Sequence, residues 1–129
     1  MIPPSTLIHV LTRVKARIEK GWTQGTSARN AAGKSVRIRE PDLCPVSWSL
    51  RGALREESTD DGDLSGVAIM QGMEAELNAT ILRLRYTTKG TRSDDHLSYM
   101  FYEDEHGRTQ AEVIALVQNT IDYIKETTS

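Results

Sequence analysis

The chain is poor in the residues that staple or rigidify small proteins. It has one cysteine, Cys44, and one phenylalanine among its 129 residues. A single cysteine rules out an internal disulfide, and with it the disulfide-rich secreted scaffolds. Unless it is a reactive thiol, Cys44 is expected to be a small buried apolar residue, the usual fate of an unbridged cysteine. With one phenylalanine, the core has to be built from Leu, Ile, Val, Met and Ala. No apolar run approaches the ~20 residues needed to span a bilayer. Met1-Ile2-Pro3-Pro4 lacks the basic and apolar regions of a signal peptide, and Glu126-Thr127-Thr128-Ser129 carries no lipidation motif. A cytoplasmic location without membrane attachment is the expectation. At this length a single domain over residues 1–129 is expected, and it would bury roughly two thirds of its unfolded surface.

What the chain does have is an uneven charge. Residues 1–55 hold ten Lys/Arg and three Asp/Glu, whereas residues 56–129 hold six and fifteen, for a net charge of -2. Such a split suits an electrostatic partner, a nucleic acid, or head-to-tail self-association. The plainer expectation is that folding brings the halves together and they neutralise each other.

The apolar spacing predicts mostly helix. Ser5 is read as the N-cap of a helix over 5–20, with Leu7, Ile8, Leu11, Val14 and Ile18 on one face and Gly21 as its C-cap. Trp22 should fold back onto the core. Residues 23–40 read as a small β-hairpin, turning at Asn30-Ala31-Ala32-Gly33 and returning along Val36-Arg37-Ile38-Arg39. A second helix is expected from an N-cap at Ser47, carrying Trp48, Leu50, Ala53 and Leu54. Gly52 inside it costs ~1 kcal/mol against Ala and is most simply explained by close packing on another element. Met70, Met73, Leu77, Ile81 and Leu84 predict a third helix over 64–85, although residues 82–88 also alternate like a strand. Residues 97–102 should dock on the core as a short aromatic segment. Thr109 and Glu112 form a capping box before the stripe Val113, Leu116, Val117, Ile121 and Ile124, which predicts a fourth helix over 110–126. The expected fold is therefore α+β and predominantly helical, with about four helices and a small β-hairpin.

Chemical motifs are few. Residues 28–35, Ala-Arg-Asn-Ala-Ala-Gly-Lys-Ser, loosely match a phosphate loop, but a strand-like segment follows where a helix is required. A hairpin turn is the preferred reading. His9, His96 and His106 show no zinc spacing with one another or with Cys44. Asp94, Asp95, His96, Asp104 and His106 would form an oxygen-rich metal site only if their two loops met, so no metal, cofactor or catalytic residue is assigned. Arg29, Lys34, Arg37 and Arg39 lie along the hairpin and could touch phosphates, without interleaved aromatics for base stacking.

Three segments resemble a known family. Val46-Ser47-Trp48-Ser49-Leu50-Arg51-Gly52-Ala53-Leu54, the acidic turn and Gly-Arg-Thr of residues 103–113, and Gly21-Trp22-Thr23-Gln24-Gly25 resemble domain-of-unknown-function family 6197. The chain departs from the family pattern in two places: Tyr102-Glu103-Asp104 stands where the family usually has Trp-Asn-Asp, and the Cys that the family often has near the start of the helix-two motif is replaced by Cys44 ahead of Pro45. The resemblance implies a small helical domain, often encoded near or within phage and mobile elements, and implies no activity. A polar site gathering Trp22, Arg29, Arg51, Asp104 and Arg108 is the sharper reading of these segments, with Asp104 and Arg108 paired at a pocket mouth. The leading functional expectation is a non-enzymatic binding or accessory protein acting through a protein partner. A nucleic-acid-binding protein using the basic N-terminal half is the second, and a small metal- or carboxylate-dependent enzyme the third.

Overall fold

In the computed structural model, residues 2–36, 44–87, 99 and 107–128 are described, with backbone alone for 84–87. Among them are four helices and one two-stranded antiparallel sheet, an α+β and mostly helical fold. Helix α1 spans Pro4–Lys20, strand β1 Ala28–Asn30, strand β2 Pro45–Trp48 and helix α2 Leu50–Glu57. Helix α3 spans Gly66–Thr87 and helix α4 spans Gln110–Thr128.

Helix α1 starts one residue before the predicted cap. Pro3 is the N-cap, with no side-chain hydrogen bond, and its carbonyl accepts the amides of Thr6 and Leu7. Pro4 suits the first helical position because its missing N–H would be unpaired there anyway and its ring presets φ. Leu7, Val10, Leu11, Val14 and Ile18 are buried, with Ile8 only partly so. Gly21 ends the helix at φ 178, an extended rather than left-handed conformation. It is glycine for a steric reason: a Cβ there would stand 2.3 Å from the carbonyl oxygen of Val46.

The second helix is shorter than predicted. Ser49, not Ser47, is the N-cap, and its Oγ accepts the amide of Gly52 at 2.9 Å. Pro45–Trp48 is extended instead, because its backbone pairs with β1 in the register Ala28↔Trp48, Arg29↔Ser47 and Asn30↔Pro45. The chain does turn at Asn30–Lys34, and Ser35 bridges back to Arg29. The partner of β1 in the ladder is nonetheless β2. Of the expected returning strand only Val36 is described, its amide donating to Ala28 O, and Arg37 and Arg39 lie outside the described residues. Gly52 packs as expected: a Cβ on it would lie 2.1 Å from the Ser27 carbonyl oxygen.

Helix α3 continues through Thr87, which makes residues 82–87 helical, while residue 88 lies outside the described set. Ser65 precedes it, its Oγ accepting the amide of Ala68. Tyr99 is 1% exposed, so the aromatic segment does dock at this residue, and its other members lie outside the described residues. Helix α4 opens with the predicted capping box. Thr109 N donates to Glu112 Oε1 at 2.9 Å, and Glu112 N donates to Thr109 Oγ1 at 3.2 Å. Gly107 ahead of it sits at φ +85, where a side chain would be strained. The core lies where α1 packs against α4 and α2 and where α3 packs against α4.

Candidate functional site

The basic residues singled out from sequence have different fates. Arg29 lies on β1, and its guanidinium holds the neighbouring loops. Nε donates to Thr23 Oγ1 at 2.7 Å, Nη1 to Gly33 O at 3.0 Å and Nη2 to Gln24 O at 3.2 Å. Lys34 is exposed on the adjoining turn, which Asn30 closes by accepting the amides of Ala32 and Lys34 through Oδ1. Residues 28–35 are therefore a strand and a turn, with Gly33 at φ +80, and no helix begins there to receive a phosphate. Trp22 is half-buried against the core and bridges to Trp48 on β2.

Two arginines of α1 cross to the acidic half of the sequence. Arg17 Nε donates to Glu57 Oε2 at 2.7 Å, and Arg13 Nη2 lies 2.9 Å from Glu57 Oε1. The Arg17 guanidinium also sits 4.7 Å from the centre of the Trp48 ring, within cation–π range. Glu57 is buried, and two cations offset the cost of removing its charge from water. The opposed halves thus neutralise each other at least here.

Arg108 pairs along its own helix start. Its Nη1 donates to Glu112 Oε2 at 3.0 Å. The expected partner Asp104 lies outside the described residues, as do Asp94, Asp95, His96 and His106. The backbone amide and hydroxyl of Thr109, then the Arg108 guanidinium, hold the Glu112 carboxyl below its ordinary pKa. Gln110 Nε2 donates to Ile18 O at 2.7 Å, tying this start to the end of α1. Among the described residues, no three His, Cys, Asp or Glu side chains come close enough to hold a metal ion. Cys44 is exposed rather than buried. At φ 46 it makes a left-handed corner just before β2, and that corner turns it out of the core.

Arg51 belongs to a different feature. A cleft of about 660 Å³ lies between α2 and the first turns of α3. Arg51 and Arg55, one turn apart on α2, form one wall, and Val67, Met70, Gln71 and Glu74 form the other. The loop Ser58–Asp60 closes an end. Trp22, Arg29, Lys34 and Arg108 are not among its lining residues. The two acids of the cleft are engaged within the chain. Asp60 Oδ1 accepts the amide of Gly66 at 2.7 Å, and Glu74 Oε2 accepts the Tyr99 hydroxyl at 2.6 Å. Val67 is 69% exposed in the cleft wall. Sequence reasoning missed this wall, assigning Met70 to the buried stripe and Val67 to nothing. One signal was available. Val67-Ala68-Ile69-Met70 are four consecutive apolar residues, more than one helix face can bury.

Fold and cleft together give an α+β architecture, mostly helical, with an open groove between two helices and two arginines on its wall. Among the described residues no helix is long and apolar enough to cross a membrane. The chain belongs to the Family of unknown function (DUF6197), whose model matches residues 2–123. No curated protein and no solved structure matches it.

Proposed function

We propose that this is a small non-enzymatic binding or accessory protein that engages a protein partner through the α2–α3 cleft. The observation that carries this reading is Val67, a large aliphatic side chain 69% exposed inside a concave, partly charged surface. A single exposed aliphatic residue needs no explanation on a convex surface. Lining a cleft between two arginines and a half-buried methionine, it has the mixed character of a binding groove. The reading includes a cytoplasmic setting and a phage or mobile-element source.

The protein reading is preferred to nucleic-acid binding because of where the described arginines are directed. Arg17 is held by Glu57 and Arg29 by groups of its own loops, and Arg13, although exposed, is paired with Glu57, so all three are engaged within the chain. Glu74 and Asp60 in the cleft would also repel one.

A photo-crosslinking residue at the exposed position Gln71 tests the proposal in cells that express the full chain. A discrete protein adduct that disappears in Val67→Asp is the expected result. Adducts that persist in Val67→Asp, or no adduct at all, would count against the cleft.

A further inference from the structure

We infer that the outward face of α3 is the seam of a two-fold dimer of this chain. Among residues 66–83 of that helix the exposed positions are Val67, Gln71, Ala75, Ala79 and Leu82. They follow one another at steps of three or four residues, so they form one line, ~22 Å long, down the outside of the helix. None of the five is charged. The other three helices all expose charged side chains, such as Arg13 and Lys20 on α1, Arg51 on α2, and Asp122 and Lys125 on α4. The opposite side of α3 is already core, through Ile69, Met73, Leu77 and Ile81. A helix that is uncharged outside and apolar inside has the pattern of one buried on both sides. High helix propensity accounts for the two alanines. It does not account for Val67 and Leu82, 69% and 40% exposed, two of the three large aliphatic side chains left in water among the described residues.

A surface that covers this line must itself be uncharged over the same length, because a charge laid against it would lose water and gain no partner. Among the described residues the one exposed helical line of that kind is α3 itself, which makes the occupant a second copy. The line also matches itself. In an antiparallel two-fold arrangement, the register that sets Val67 against Leu82 of the second copy also sets Gln71 against Asn78 of that copy. Aliphatic then meets aliphatic at both ends, and amide meets amide between them. Asn78 binds the Tyr99 amide through Oδ1, and its own amide N–H groups are the donors that Gln71 Oε1 needs. Ala75 falls at the middle, where a small side chain lets two helices approach closely. Glu74 stands at the edge of the line, already taken up by the Tyr99 hydroxyl. The seam stands independently of the cleft, whose lining it shares only at Val67 and Gln71.

Sedimentation equilibrium of the full chain over a concentration series tests this, with Ala79→Glu as the probe because Ala79 does not line the cleft. The expected result is a mass that climbs from one chain toward two. Two-fold symmetry brings the new charge into the seam twice, so Ala79→Glu should weaken association about tenfold or more. Its thermal midpoint at dilution should match that of the unaltered chain, since Glu is a good helix former at an exposed position. With Cys44→Ser as the background and copper phenanthroline as the oxidant, Ala75→Cys should give a disulfide-linked dimer. Ala115→Cys, on the exposed face of α4, should not. A photo-crosslink from Gln71 to a second copy would have twice the chain's mass, which separates it from one to a different protein. A single-chain mass at every concentration would overturn the dimer. Association that ignores Ala79→Glu would overturn it too, by placing the seam on another face. A thermal midpoint that falls in the dilute variant would show the line covered within the chain, and would also overturn it.

Discussion

Helix α1 makes two kinds of interface, and they were written into the sequence in different ways. Toward α4 it contributes to a shared apolar core in which Leu11, Val14, Leu116 and Val117 are almost fully buried. Toward β2 and α2 the shared core is joined by backbone contact and by charge. Trp48 N donates to Gly21 O at 3.0 Å, Thr23 N donates to Trp48 O at 3.1 Å, and Glu57 takes Arg13 and Arg17. The first interface follows from periodicity, because a helix repeats its face every three or four residues. The second depends on single residues far apart in the chain, and no local pattern announces them. Interfaces of the second kind should therefore be the more brittle: a lone contact has no neighbours of its own type to share its loss.

Gly52→Ala should show the largest loss, at another contact of this brittle kind, where α2 presses on the approach to β1. Helix propensity alone would make this change favourable by ~1 kcal/mol. The added Cβ, however, would stand 2.1 Å from Ser27 O. That oxygen also accepts the Ser49 amide, so it cannot retreat without cost. A loss of at least ~3 kcal/mol is expected, the upper end of what overpacking costs. Urea unfolding at unchanged slope measures it. A stabilised variant would mean that α2 does not press on the β1 approach at all.

Glu57→Gln should come next, because it removes the charge while keeping the shape. Breaking a buried pair costs ~3–5 kcal/mol when both partners are enclosed. Here the Arg13 side chain is 56% exposed and can rehydrate, so a loss of about 2 kcal/mol is expected from the same rule. A double-mutant cycle with Arg17→Met isolates the pair. An additive cycle would show that Glu57 is merely tolerated and that Trp48 does the holding.

Thr109→Ala sharpens the comparison from the other side, because the α4 cap is local and was legible. Its expected cost is ~1 kcal/mol, as for other helix caps. It should also alter the acid limb of stability. The folded state holds the Glu112 pKa below its unfolded value. The stabilisation from that shift is present above the ordinary carboxylate range and is lost as pH falls through it. Stability measured from pH 7 down to pH 3 should therefore decline less steeply in Thr109→Ala than in the unaltered chain.

Legibility followed the same division. The capping box at Thr109 and Glu112, the stripe of α4 and most of the stripe of α1 were all readable, since each involves residues within one or two helical turns. Trp48 was misread as helical. Ser47 and Ser49 are both good caps, and only pairing of β2 with Ala28–Asn30 excludes the earlier one. Cys44 was misread as buried because composition says nothing about a left-handed corner. Of the candidate site residues, Arg51 lines the cleft, Arg29 serves its own loops, and Arg108 binds Glu112.

The sequence by itself determined that this chain is a mostly helical α+β domain, where its long helices run, and how the last one begins. Those outcomes rest on side-chain periodicity and on hydrogen bonds between near neighbours. Only the tertiary structure decided that Arg17 meets Glu57 forty residues away, that Gly21 and Gly52 lie under foreign carbonyls, and that Arg51 faces Val67 across a cleft. These depend on the relative placement of whole elements, which the summed packing of the core sets and no single segment encodes.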